Sequence, residues 1–421
     1  MYEQALQAIN PSISVPYWDF TREGTLLDWT NFRSSSVFSD DWFGTAAPRN
    51  GAHVPERGRF GFVSVMTNAF EYSTITNSYG LLRSPWNTDP APFMTRNDRL
   101  FEYPNNRKPS GCKQYRDAFN HSDWMSLATA LGADAHGHIH ELIGGSWSPG
   151  SDALANRTKD VILPFLHVLQ AMTKKLWRAD YLVCPESCAG DVPWTDCECS
   201  CDYSGSPMAG KHPLEVLRSA GVSDSQFYDP DFKLIESLET TREGTIPGYI
   251  AEESENILTE ALHVMCTSAR VGTSYEATST DDLIFWVIHP TIDRLWHLRR
   301  LQEDDFDDTW EVSESACYGH NPGDILPLHD LFDPKHGFSK PLALRRSSMS
   351  TRRQDSGGRL KGLAAEDGGS TSGVAQRPKA FHTNAELYEL LKPGDDLPYI
   401  YDNFEWPHCD TIGVHISGRT S

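Results

Sequence analysis

The sequence predicts a mainly α protein: an antiparallel helical bundle around a metal centre, with long irregular loops outside it. Three observations carry that expectation. Apolar residues recur at helical spacing in several stretches, most clearly Asp160–Ala179 (DVILPFLHVLQAMTKKLWRA) and Glu252–Cys266 (EESENILTEALHVMC). Histidines sit on two such runs, His136 and His140 in AHGHIHELIGG and His289 in DLIFWVIHPTIDRLW. Between Asn31 and Asn97, Gly, Pro, Ser and Asn interrupt short apolar runs such as FGFVSV, which reads as loop.

In chain order, YEQALQAI from Tyr2 has a helical pattern that Asn10-Pro11 ends. PYWDF at Pro16–Phe20 follows as an aromatic turn, in which Tyr17 and Trp18 are expected to pack into the core rather than touch a ligand. Arg116–Leu131 has helical spacing and leads into the first histidine segment, which Gly144-Gly145 should terminate. His167 and His263 lie on apolar helix faces and read as core histidines. After Trp296 come the acidic EDDFDDTWEV and a Pro- and Gly-rich run holding His320, His329 and His336, all read as loop. Lys340–Lys379 has too few large apolar residues to offset its ordering entropy and is expected to be disordered. NAELYELLKP and PYIYDNFEWPHC then return to order. The expected division is a central domain over 1–338 with a helical, cysteine-containing insertion at 149–280, a linker over 340–379, and a segment over 380–421 packed back on the core.

The 421 residues carry 58 acidic and 37 basic side chains, a formal charge of -21. That balance argues against nucleic acid as a partner, since it repels phosphate backbones. The dense basic run RRSSMSTRR, Arg345–Arg353, lies in low-complexity sequence and reads as solvated linker. No apolar run reaches the ~18 to 20 residues a membrane-spanning helix needs, so a soluble protein with no membrane partner is expected. No signal peptide is read at the start, where Met1 runs directly into YEQALQAINPSISVPYWD. Nine cysteines include the cluster Cys184, Cys188, Cys197, Cys199 and Cys201, which suits disulfides in an exported chain or zinc in a cytosolic one. The odd total leaves at least one thiol unpaired within a monomer.

His136 and His140, four residues apart, share a helix face and can point at one ion, with His289 as the third ligand. His138 falls on a different face and is set aside. His121 reads as an ordinary helix histidine and His53 as a loop residue. Three neutral imidazoles suit copper, zinc or iron, and the donor set does not choose among them. Asp293, one turn beyond His289, is placed to accept the free N–H of a metal-binding imidazole, or equally to pair with a surface base. Phe285 precedes His289 by four and is expected as an apolar wall of the pocket.

PYWDF, the HxxxH followed by Gly144-Gly145, and FWxxHxxxDRLW together resemble the tyrosinase, catechol oxidase and hemocyanin-like group of type 3 copper proteins. The resemblance spans roughly 1–148, 281–332 and 384–409. It implies that His136, His140 and His289 hold the copper called CuB, and that the protein oxidises (o-di)phenols to quinones with dioxygen. It also suggests a secretory or vesicular location, and so disulfides in the cysteine cluster. In that family the CuA ligands lie upstream of the PYWD turn, the last in a WHR segment just before FExAL. YEQAL at Tyr2–Leu6 matches FExAL, so only the CuB half-site is expected in this chain, with a truncated sequence or a misplaced start codon as the cause. His53, His121 and His167 have no spacing that would rebuild the second site.

Members that hydroxylate monophenols commonly carry Asn directly after the first CuB histidine, with a carboxylate upstream. Here Gly137 holds the first place, beside the substrate pocket, and Asp134 is the nearest acid, which favours a diphenol oxidase. Two other readings compete: a catalytically inactive protein of the same fold serving as a binding or structural module, and a zinc hydrolase. The last is disfavoured because Glu141 follows His140 but position 144 is glycine, so HExxH is not met.

Overall fold

The computed structural model describes residues 2–27, 32–67, 75–101, 103–104, 108–147, 159–189, 191–201, 208–222, 245–246, 248–267, 269–302, 306–309, 321–326, 382–394, 397 and 399–416. These residues are mainly α, and every strand among them is two residues long. The chain divides into two compact units, one of Met1–Ser14 with Trp310–Pro398 and one of Val15–Thr309 with Tyr399–Ser421. The 340–379 segment, the basic run within it, and His320, His329 and His336 lie outside the described residues.

The smaller unit holds the helix Tyr2–Gln7, an antiparallel pair of Ile325–Leu326 with His382–Thr383, and the helix Asn384–Leu390. Thr383 and Glu386 close a reciprocal cap at the last helix. The Thr383 hydroxyl accepts from the Glu386 N–H at 3.1 Å, and the Glu386 carboxylate accepts from the Thr383 N–H at 2.9 Å.

The larger unit has two apolar cores. One gathers the helices Cys112–Phe119, Trp124–Gly132, Gly137–Gly144 and Phe285–Leu301 with Trp18, Phe20, Phe32 and Phe38 from the loops and Trp406, Cys409 and Ile416 from the C-terminal segment. The other is built by Leu166–Arg178, Pro213–Ser219 and Ala251–Cys266. The long excursion between the histidine segments therefore buries its own apolar faces. Its two ends meet, because Ser146 and Trp147 pair antiparallel with Val271 and Arg270. A chain that leaves and re-enters at adjacent points leaves the elements on either side free to pack together.

Three sequence expectations need correction. The single helix expected over 116–131 is two, ending at Phe119 and restarting at Trp124. Asp123 causes the restart, its side chain accepting from the Ser126 N–H at 2.8 Å. The helix expected from Asp160 is broken by a 3-10 turn at Leu163–Phe165, which contains a proline. His263 is exposed rather than in the core, because Ala251–Cys266 turns Ile257, Leu258, Ala261, Leu262 and Met265 inward and leaves His263 on the outer face. His167 is buried as expected.

Four disulfides join Cys112 to Cys409, Cys184 to Cys199, Cys188 to Cys197 and Cys201 to Cys266. All five cysteines of the cluster are thus oxidised, which fits an extracellular or secretory setting. No described helix is long and apolar enough to cross a membrane. The Cys112–Cys409 bond spans 297 residues and ties the C-terminal segment to the first core.

Arg96 and Asp282, both buried, form a two-pronged pair. Arg96 Nε and Nη2 donate to the two Asp282 oxygens at 2.8 and 2.6 Å, and Nη1 donates to the carbonyls of Phe43, Gly44 and Thr45. Asp282 also accepts from the Ile284 N–H at 3.2 Å, at the entrance to the helix that carries His289. Replacing only one partner leaves an uncompensated buried charge. Arg96→Met should therefore cost about 3–5 kcal/mol in urea unfolding, and a loss under about 1 kcal/mol would show that the pair is not what fixes this region. Alkylation of the denatured, unreduced protein should leave the eight paired cysteines unlabelled, and reduction should expose all eight.

Candidate metal centre

The three histidines come from two helices that local sequence features press together. His140 lies within Gly137–Gly144, whereas His136 stands at the residue before that helix, with non-helical φ and ψ of -149° and -17°. The sharing of one helix face expected from the sequence thus holds only loosely. Gly145 ends the helix with φ of +58°, a conformation that favours glycine. Gly144 and Gly272 touch backbone to backbone. A Cβ on Gly144 would collide with Tyr275, and one on Gly272 with the Gly144 carbonyl. That contact brings the turn at 273–275 against the first histidine helix.

His289 lies in the first half of Phe285–Leu301. Pro290 follows it and removes a donor from the helix ladder. The PYWDF turn grips the helix here: the Trp18 N–H donates to the Val287 carbonyl at 2.9 Å, and the Thr291 hydroxyl donates to the Trp18 carbonyl at 2.6 Å. Trp18 is buried in the core, and Tyr17 is half-buried beneath Arg294.

The imidazoles of His136, His140 and His289 converge, with ring centroids 5.1 to 5.3 Å apart and one nitrogen from each within 4.8 Å of the others. His140 Nε2 and His289 Nε2 are 3.2 Å apart. Two nitrogens each ~2 Å from one ion lie at roughly that separation, so the cluster is dimensioned to hold a metal. His136 Nδ1 donates to the Leu131 carbonyl at 2.5 Å and His140 Nδ1 to the Ser274 carbonyl at 2.9 Å. Because a carbonyl only accepts, both Nδ1 atoms carry the proton and both Nε2 lone pairs face the cluster. The Phe285 ring lies 3.7 Å from that of His289 and 6.1 Å from that of His140, an apolar wall on one side. Burial pushes the basicity of His136 down to about 4 and of His289 to about 3, the neighbouring imidazoles adding to both, and burial also lowers His140. All three rings are neutral at pH 7.

Asp293 does not reach these rings as the sequence suggested. Its Oδ2 accepts from the hydroxyls of Tyr399 and Tyr401 at 2.8 and 2.6 Å, and the nearby imidazole is that of His297 at 3.7 Å. The groups that orient two of the imidazoles are the Leu131 and Ser274 carbonyls, which sequence reasoning passed over because main-chain acceptors carry no residue signature. Gly272, the second partner of the Gly144 contact, was the available clue. Gly137 opens the helix directly beside His136, and a Cβ there would meet the Gly132 carbonyl at 3.3 Å. The His53 ring lies tilted against Trp147 at 4.3 Å, His121 is exposed and His167 is buried elsewhere, so none joins the cluster. Among the described residues one other group has metal-like spacing, Cys112, His408 and Cys409, but its two sulfurs are bonded to each other and offer no thiolate.

Residues 1–157 match the family model of the common central domain of tyrosinase, and that part of the chain is similar to it. The match takes in His136 and His140 and stops before His289. No curated protein and no solved structure matches the chain.

The depressed basicity fixes the sign of a pH effect. Unfolded histidines titrate near 6.5, so below about that pH the unfolded chain binds protons that folded His136 and His289 refuse until about 4 and 3. Folding stability of the metal-free protein should therefore be full above about 6.5 and fall as the pH drops toward 4. Thermal unfolding across this range, compared with a protein carrying both His136→Gln and His289→Gln, checks it: the variant should lose less stability between neutral pH and pH about 4.5. Parallel curves would show that the rings are not desolvated.

Proposed function

We propose that the tyrosinase-like domain holds one copper ion between His136, His140 and His289 as half of a type 3 copper oxidoreductase that converts o-diphenols to quinones with dioxygen. The observation that supports this most is the convergence of three neutral imidazoles, with one nitrogen from each within 4.8 Å of the others. The donor set fits copper, though three nitrogens alone would fit zinc equally, and the family match tips the choice. Copper held there supplies redox chemistry with dioxygen as the oxidant.

The chain's own residues prepare that site. The Leu131 and Ser274 carbonyls hold the Nδ1 protons, so no rearrangement is needed for two of the rings to present Nε2. Phe285 keeps water from one face and offers an apolar surface to an aromatic ring. Oxidation of two o-diphenols to quinones releases four electrons and four protons, which reduce one dioxygen to two waters. Gly137, which places no polar side chain beside His136, suits a diphenol better than a monophenol that must first be deprotonated. Among the described residues there is one three-histidine cluster. That single cluster also favours a second reading, a protein of this fold that binds one metal and serves as a binding or structural module.

Copper titration followed by desalting and elemental mass spectrometry should give one copper per 421-residue chain, falling to background in His289→Ala. Tight zinc binding that excludes copper would overturn the copper assignment. Catechol oxidation by the same chain should stay at background, and robust turnover would overturn the half-site reading.

A further inference from the structure

We propose that Asn120 is an N-glycosylation site and carries an N-linked glycan on the folded protein. Asn120-His121-Ser122 has the Asn-X-Ser pattern that the eukaryotic transferase recognises, with a residue other than proline in the middle. Asn10-Pro11-Ser12 fails on that proline, and Asn156-Arg157-Thr158 lies outside the described residues. Asn120 occupies the break between Cys112–Phe119 and Trp124–Gly132, and all three residues of the triplet are exposed.

The backbone of this connection is satisfied inward. The Asn120 N–H donates to the Arg116 carbonyl at 3.0 Å, the Ser122 carbonyl accepts from the Asp307 N–H at 2.7 Å, and Asp123 caps the helix that follows. A sugar on Asn120 Nδ2 would extend into solvent from a helix end whose geometry does not depend on it. The buried asparagines differ on both counts. Asn77, Asn87, Asn97 and Asn384 each donate Nδ2 to at least one main-chain carbonyl, a bond a glycan would break, and none has Ser or Thr two residues on.

The four disulfides supply the independent observation. Their formation fits passage through an oxidising lumen, and in eukaryotes that compartment also holds the glycan donor. The donor is a lipid-linked oligosaccharide pyrophosphate. Asn120 Nδ2 forms a bond to the anomeric carbon, the bond from that carbon to the pyrophosphate oxygen breaks, the lipid pyrophosphate leaves, and Nδ2 gives up one proton to a base of the transferase. No oxidant or reductant takes part.

The test is peptide mapping of the full chain after passage through a eukaryotic secretory pathway, with glycans released by an amidase in heavy-oxygen water. The expected result is heavy-oxygen deamidation at position 120 in most molecules, absent from Ser122→Ala and retained in Ser122→Thr. Asn120→Gln should lose one glycan's mass and keep its disulfides and its copper uptake. An unmodified Asn120 in protein whose disulfides have formed overturns the proposal, whether or not position 156 is modified.

Discussion

Three imidazoles can crowd into a few ångströms of apolar space only as neutral rings, because a charge on any one would be both desolvated and repelled by its neighbours. Each neutral ring still has one N–H that must find an acceptor or forfeit a hydrogen bond. Much of the surrounding architecture answers that requirement. The Leu131 carbonyl is free for His136 because the preceding helix stops at Gly132, and the Ser274 carbonyl reaches His140 because Gly144 and Gly272 allow two backbones to touch. His289 must then be held opposite. Its helix is fixed at the entrance by Arg96 and Asp282 and along its side by the Trp18 backbone.

The outer side of that helix is held by the C-terminal segment. Asp293 takes two tyrosine hydroxyls, from Tyr399 and Tyr401, and Arg294 reaches the Asn403 and Glu405 carbonyls while lying over the rings of Trp406 and Tyr17 at 4.1 and 4.8 Å. Tyr17 in turn donates to Asp402 at 2.8 Å, so residues 15–20 and 399–416 close around the same helix from different ends of the chain. The Cys112–Cys409 disulfide makes that closure covalent. The Asp and Arg of DRLW thus act on the helix that bears His289 rather than on its imidazole. The 146–271 excursion adds a second core without prying the histidine helices apart, since its ends are joined by a short antiparallel ladder.

Read alone, the sequence indicated the helical class, the three histidines as candidate ligands and the partial resemblance to a copper family, and it left the cysteine cluster open between disulfides and zinc. The first three are written in residue type and local spacing: apolar periodicity, HxxxH and the FWxxHxxxDRLW run; the pairing of the cysteines came from the tertiary structure. It did not determine where Arg116–Leu131 breaks, because a cap and an antagonistic tertiary contact at Asp307 outweigh continuous helical spacing. Nor did it determine which atoms orient the imidazoles or what Asp293 binds. The Leu131 carbonyl is local to His136 but carries no residue signature, whereas Ser274, Tyr399 and Tyr401 lie more than a hundred residues from the groups they bind, and only tertiary packing brings them within hydrogen-bond reach. Local spacing limits which side chains share a face; long-range closure alone decides what that face meets.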